Sequence, residues 1–273
     1  MKIGIGTPGT SHTLSPDFVK EYARRADAAG FSTITHLDRV VYSNHDTLIA
    51  LATMAAVTQR IRLQTSVLLT PLRSAALVAK QAATLDAISG GRLTLGMAVG
   101  SRREDYTVAG TDPGNRGKRF DEQLALMHRI WAGKAPLDGV LPMGPTPVQS
   151  GGPQVLIGGR VPVALRRVAR WGAGYVTGAV FSADTARAIY EQVLANWQEA
   201  GRAGVPRFVG TLACAIGEEQ AQRTAESIDH YYHYRGPVQR GGAAPTNVTA
   251  SDSRNNIPSN ITAIREVLKA CEA

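Results

Sequence analysis

Cysteine is scarce: the 273 residues hold two, Cys214 inside an apolar run and Cys271 near the end. That excludes a disulfide framework as the organising principle and points to a reducing, cytoplasmic setting. The opening MKIGIGTPGT has no apolar stretch of signal-peptide length, and nowhere do apolar residues run unbroken for the roughly 18 positions of a membrane span. The expectation is a soluble intracellular protein, in which the sequons at Asn247 and Asn260 carry little weight. Basic blocks with interleaved aromatics are missing too. The formal charge is +8, but the arginines scatter over strand starts (Arg60, Arg62, Arg92, Arg207) and helix faces (Arg24, Arg25, Arg166, Arg167, Arg170), so neither nucleic acid nor membrane is an expected partner. No GxSxG elbow, P-loop, CxxC pair or GxGxxG turn occurs, which removes the signatures of hydrolases and dinucleotide folds. His230 and His233 share an i,i+3 spacing without an acidic or cysteine partner motif, and no metal site is expected.

What is plentiful is alternation. With 44% hydrophobic residues the chain can bury a sizeable core, and short apolar runs alternate with segments of helical period. Residues 2–6 read as a first strand; Ser15 and Pro16 then open a helix whose apolar face is Phe18, Val19, Tyr22, Ala23 and Ala26. Strand candidates follow at 33–37, 61–69, 92–99, 154–157, 175–177 and 208–216, each followed by a helical pattern. The helix after 154–157 is expected to bury Val161, Leu165, Val168 and Ala169 and to expose its arginines. Residues 100–116 read as a polar loop, and 137–152, rich in proline and glycine, as an excursion holding a small hairpin. Such alternation implies parallel strands with right-handed crossovers, and seven in strict succession favour a (β/α)8 barrel over an open doubly wound sheet. The whole chain, 1–273, reads as one barrel domain with insertions at 101–116 and 134–153. Residues 236–260 hold almost no large apolar side chain and read as a flexible loop, and no eighth strand is visible.

Three stretches carry a family resemblance: DTLIALATMAAVTQRIRLQTSVLLTPLRSAALVAKQAATLDAISGGRLTLGMAVG from Asp46, RGKRFDEQLALMHRIWAG from Arg116, and GGPQVLIGGRVPVALRRVARWGAGYVTG from Gly151. They resemble the luciferase-like flavin-dependent oxidoreductases, which include bacterial luciferase, FMN-dependent monooxygenases and enzymes of the deazaflavin F420. The resemblance implies a TIM barrel of the bacterial-luciferase type, here lacking strand eight, with IREVLKACEA matching the helix before that strand. It implies FMN at the carboxyl ends of the strands, or F420 as the alternative, whose polyanionic tail would suit the +8 charge and Arg102, Arg103 and Arg160. Hydride transfer, or reduced flavin with O2, would act on a small organic molecule. A homodimer through helices two and three is the family's habit, and a separate flavin reductase is a further partner it allows. A barrel that has lost its chemistry and only binds is the rival reading.

Residue by residue, the resemblance implies a bulged third-strand end with a cis peptide at Ser66-Val67, backing the flavin ring. The alternation alone fits Ser66 equally well as an ordinary barrel position. Thr7, Asp38, Gly100 and Ser101 become ring contacts; Gly158, Gly159 and Arg160, joined by Thr177 and Gly178, become the phosphate loop. That loop has a physical rationale: glycine lets backbone N–H groups approach an anion, a helix start favours one, and arginine chelates one bidentately. Polar residues after the second strand make Asp38, His36 and His45 the candidate catalytic groups, with Arg39 standing where the family commonly has histidine. The loop residues 7–14, 39–45, 102–116 and 236–260 would set the substrate.

Overall fold

A computed structural model describes residues 1–9, 14–179, 183–233 and 257–272. The first two βα units begin where a strand's apolar residues are followed by a residue that caps a helix. β1 (Ile5–Gly6) leads to α1 (Pro16–Ala28), where the Ser15 side chain accepts from the Phe18 N–H and Pro16 fixes the first turn. β2 (Thr33–His36) leads to α2 (Thr47–Ala56), capped by Asp46, whose carboxylate accepts from the N–H groups of Leu48 and Ile49. β3 (Arg62–Leu69) and a short 3-10 turn precede α3 (Ala75–Ile88); β4 (Leu93–Ala98) precedes α4 (Arg103–Val108) and α5 (Arg116–Trp131). β5 (Gln154–Ile157), α6 (Pro162–Trp171), β6 (Gly174–Ala179), α7 (Ala183–Glu199), β7 (Arg207–Thr211), α8 (Glu218–His233) and α9 (Ile261–Glu272) complete the order.

The strands form one parallel sheet in sequence order, β1 to β7, curled with helices outside and the core between the layers. Among the described residues no eighth strand joins β7 to β1. The described residues therefore form seven strands of the expected barrel. The polar loop after β4 departs from expectation, since residues 103–108 wind into α4, an uncapped helix of six residues. No hairpin forms in the 137–152 excursion; it contains a cis Gly144-Pro145 bond and docks on α3, where Asp86 accepts from the backbone and side-chain amide of Gln149. Val161, expected in the core, is 59% exposed because it caps α6, and Arg167, expected outside, is buried because Asp121 takes its guanidinium at 2.9 and 3.0 Å. Most of the segment expected to be flexible, 236–260, lies outside the described residues, which resume at residue 257. No helix among the described residues is long and apolar enough to cross a membrane.

Several scattered arginines turn out to hold the layers together. Arg92 donates to the carbonyls of Ala55, Thr58 and Ile61, tying the end of α2 to the start of β4. On the opposite side Asp27 accepts from the N–H groups of Gln59 and Ile61, fixing the entry to β3. Arg92 thus satisfies helix-end carbonyls that have no partner within the helix.

Candidate functional site

The carboxyl ends of the strands open into a cavity of about 3510 Å³ that continues down the bore past β1 and β7. Its wall brings together Thr7, Asp38, Ser66, Val67, Gly100, Ser101, Thr177 and Gly178, from five different strand ends. Sequence neighbours do not explain that convergence; curling of the sheet does. Register with β4 breaks between Thr65 and Leu68, and the Ser66-Val67 peptide is cis. The break turns two successive residues of β3, Ser66 and Val67, toward the cavity.

Asp38 holds that strand end. It is 2% exposed, accepts from the Leu69 N–H at 2.8 Å through Oδ2, and takes Arg73 Nη2 at 2.8 Å through Oδ1. Burial pushes its carboxyl up from the usual range, opposed by the Arg73 guanidinium and the Leu69 N–H. Arg73 also reaches Asp46 Oδ2 at 3.0 Å, so one guanidinium links the end of β2, the end of β3 and the cap of α2. Both Asp38 oxygens are occupied by protein, which makes Asp38 a positioning group.

A second ionic cluster borders the cavity beside it. Arg39, 6% exposed, donates Nε to Asp105 Oδ2 at 2.7 Å and Nη2 to Glu104 Oε1 at 3.3 Å. Asp105 Oδ1 accepts from the N–H groups of Val40 and Val41, pinning the loop after β2 onto α4. The Arg39 guanidinium lies over the rings of Tyr42 and Tyr231, and Arg102 also covers Tyr231. Arg73, Asp105 and Tyr231 were not singled out by sequence. Asp105 sits 66 positions from Arg39 and Tyr231 still further along, so no local pattern announces the contacts.

His36 and His45 stand elsewhere. Strand alternation sends Thr35 and Leu37 to the cavity and His36 to the helix side, where Nδ1 lies 2.8 Å from Thr7 Oγ1 and Nε2 lies 3.3 Å from the His45 carbonyl. A carbonyl only accepts, so Nε2 carries the proton and Nδ1 accepts from the threonine hydroxyl. Burial lowers the His36 pKa, keeping the ring neutral. His45 donates Nε2 to the Leu14 carbonyl at 2.7 Å. Neither ring lines the cavity.

Gly158, Gly159 and Arg160 sit between β5 and α6, at the same carboxyl end but outside the cavity wall. The Gly158 N–H is committed to Met97 O at 2.8 Å. Gly159 has φ +129, and a Cβ there would stand 2.7 Å from Ala164 Cβ, so the turn both needs glycine's backbone freedom and has no room for a side chain. The Thr177 hydroxyl accepts from the Thr211 N–H at 2.9 Å, and a Cβ on Gly178 would meet nothing within 4 Å.

The family model for luciferase-like monooxygenases matches residues 1–268. An uncharacterized protein of Mycobacterium tuberculosis is 31% identical over 180 residues, which are 54% of this chain and 61% of that protein. The 4-hydroxyprotoasukamycin monooxygenase of Streptomyces nodosus subsp. asukaensis is 29% identical over 202 residues, covering 68% of this chain and 54% of that enzyme. The chain thus spans roughly half to three-fifths of the length of these relatives. In fold it matches an F420-dependent secondary alcohol dehydrogenase with an F420-acetone adduct, at a TM-score of 0.74, 15% identity, and coverage of 100% of this chain and 90% of that one. It also matches the oxygenating constituent of 3,6-diketocamphane monooxygenase from Pseudomonas putida with FMN, at 0.71, 17% identity, 86% and 74%.

Proposed function

The chain belongs to the luciferase-like monooxygenase family, and from that premise we propose that it is a flavin-dependent oxidoreductase binding FMN at the strand carboxyl ends and acting on a small organic molecule. The observation that carries the reading is the latched end of β3, where Asp38 and Arg73 hold Ser66 and Val67 against a cavity large enough for a tricyclic ring. Bound there, FMN would supply hydride transfer or, when reduced, reaction with O2.

The residues present fit such a group. Thr7, Ser66, Gly100 and Ser101 offer small, polar or backbone contacts to a flat ring. The Gly159 backbone, the start of α6, Arg160 and the Thr177 hydroxyl supply donors for a phosphate. Gly158 contributes shape rather than a donor, since its N–H is already bonded within the sheet. Tyr42, Tyr231 and the Arg39–Asp105 pair would form the substrate side, fixing orientation and excluding water. No histidine is needed from His36 or His45, which serve the packing behind Thr7.

F420 is the second reading, favoured by the +8 charge and by a whole-chain fold match to an F420-dependent enzyme. The proposal extends to a cytoplasmic homodimer through α2 and α3, whose Ile49, Leu77 and Ile88 present exposed apolar side chains. A separate flavin reductase would supply electrons to an FMN form. Titration of the intact protein with FMN and with F420, followed by absorbance and fluorescence quenching, decides between the cofactors. Binding of neither would reduce the protein to a barrel without flavin chemistry.

A further inference from the structure

At the amino-terminal end of the bore, away from the strand ends just described, two guanidinium groups converge without a carboxylate between them. Arg62 opens β3, Arg207 opens β7, and both line the cavity. Arg62 donates Nε and Nη2 to Thr94 Oγ1 at 3.3 and 3.1 Å, and Nη2 also to Leu93 O and Gln149 Oε1. Arg207 donates Nη1 to Gln154 Oε1 at 3.1 Å. Thr94 and Gln154 are register partners across β4 and β5, so the two cations meet over a single rung of the sheet.

Every one of these acceptors is neutral. Asp86, a carboxylate near enough for its charge to act on Arg62, makes no ion pair with it; Gln149 stands between, its amide Nε2 donating to Asp86 Oδ1 at 2.6 Å. Arg62 Nη1, and Arg207 Nε and Nη2, find no acceptor among the described residues. Burial lowers both guanidinium pKa values; the Asp86 charge opposes this at Arg62 without cancelling it, while the Arg62 charge lowers Arg207 further. Two residues above Arg62 on the same face of β3 stands Gln64, 1% exposed, with neither Oε1 nor Nε2 hydrogen-bonded. A buried amide with no partner and two like charges with open donors are each unfavourable alone. One anion answers both.

We propose that this rung is a binding site for a small oxyanion, a carboxylate or phosphate group, gripped by the open donors of Arg62 and Arg207 with the Gln64 amide turning down to donate to it. The site is separate from the flavin pocket and does not depend on that reading. Planar forks from two arginines suit the paired oxygens of either group.

Calorimetric titration of the intact chain with inorganic phosphate and with succinate, at ionic strength held constant with sodium chloride, tests it. Saturable binding of one or both is expected, weakened about tenfold or more in Arg62→Met and Arg207→Met and less in Gln64→Leu. Preference for phosphate or for succinate names the oxyanion. Arg25→Met, whose guanidinium pairs with Glu21 on α1 and does not line the cavity, should bind as the parent does. Absence of saturable binding to either probe overturns the proposal, as does equal weakening by Arg25→Met, which would mean general charge attraction. Should Arg62→Met not fold, Arg207→Met decides alone, because its one side-chain bond on the edge strand β7 makes it dispensable for folding, checked by far-UV circular dichroism.

Discussion

Replacing Asp38 with alanine should loosen the end of β3 and with it the proposed flavin wall. Two bonds are lost. The Leu69 N–H, buried in β3, is left without its 2.8 Å acceptor, costing about 1–3 kcal/mol. The charge-assisted bond from Arg73 would be worth about 1.5–3 kcal/mol, but Arg73 keeps Asp46 at 3.0 Å and its side chain is 22% exposed, so the lower end applies. Together they give about 3 kcal/mol, a large share of the roughly 5–15 kcal/mol that holds a domain folded. Asp38→Asn keeps an oxygen for Leu69 and loses only the charge toward Arg73, so about half that cost is expected. Urea unfolding followed by tryptophan fluorescence measures both, and FMN titration of the same samples should show Asp38→Ala weakened well beyond Asp38→Asn. A cost below about 1 kcal/mol for alanine, or equal costs for the two variants, would refute the latch. A double-mutant cycle with Arg73→Ala should return a coupling of about 1–2 kcal/mol; additivity would say the pair does not act as one.

Other consequences are as open to measurement. Burial lowers the imidazole pKa of both His36 and His128, so the folded state resists protons that the unfolded chain accepts at about 6.5. Stability should hold above that pH and fall as pH drops through the folded-state values; His36→Gln should flatten the decline in urea midpoints between about pH 7 and 5, and an unchanged slope would clear His36 of the effect. Leu77→Asp should turn the proposed dimer into a monomer by light scattering, whereas a parent already monomeric at micromolar concentration removes the interface. Gly159→Ala should cost about 1–3 kcal/mol through its φ of +129 and the Ala164 contact, and should weaken FMN more than riboflavin, which lacks the phosphate. Equal losses for the two ligands would separate Gly159 from the phosphate.

Legibility in the sequence followed the range of the forces. β5 was readable to the residue, and α1 through its Ser15–Pro16 start, because alternation and capping act over a few positions. α4 was not, since REDYTV has no capping side chain and is held by tertiary contacts from Asp105. Arg167 and Val161 were misplaced for one reason: an apolar pattern says which face is buried, but a partner such as Asp121 on another helix can bury a cation, and a cap position can expose a valine. Within the site, motif likeness located the strand ends that converge. It could not show that Asp38 has both oxygens engaged, or that the rings of His36 and His45 turn away from the cavity, because those facts depend on which side of a strand faces the bore.

The unbroken neighbour order of β1 to β7 also bears on how the molecule opens. Each strand pairs only with those adjacent in sequence, and among the described residues no contact of first strand with last encloses the sheet. Loss of structure can therefore proceed inward from either end without disturbing the other, as in a zipper with two open ends. β1 has two residues in the ladder, while β3 and β4 share the long central pairing. Amide hydrogens should accordingly exchange in a graded order, with Leu63, Leu95 and Ile157 slowest and Ile5 and Phe208 fastest, and the proposed flavin pocket would draw residues from both the slow and the fast zones.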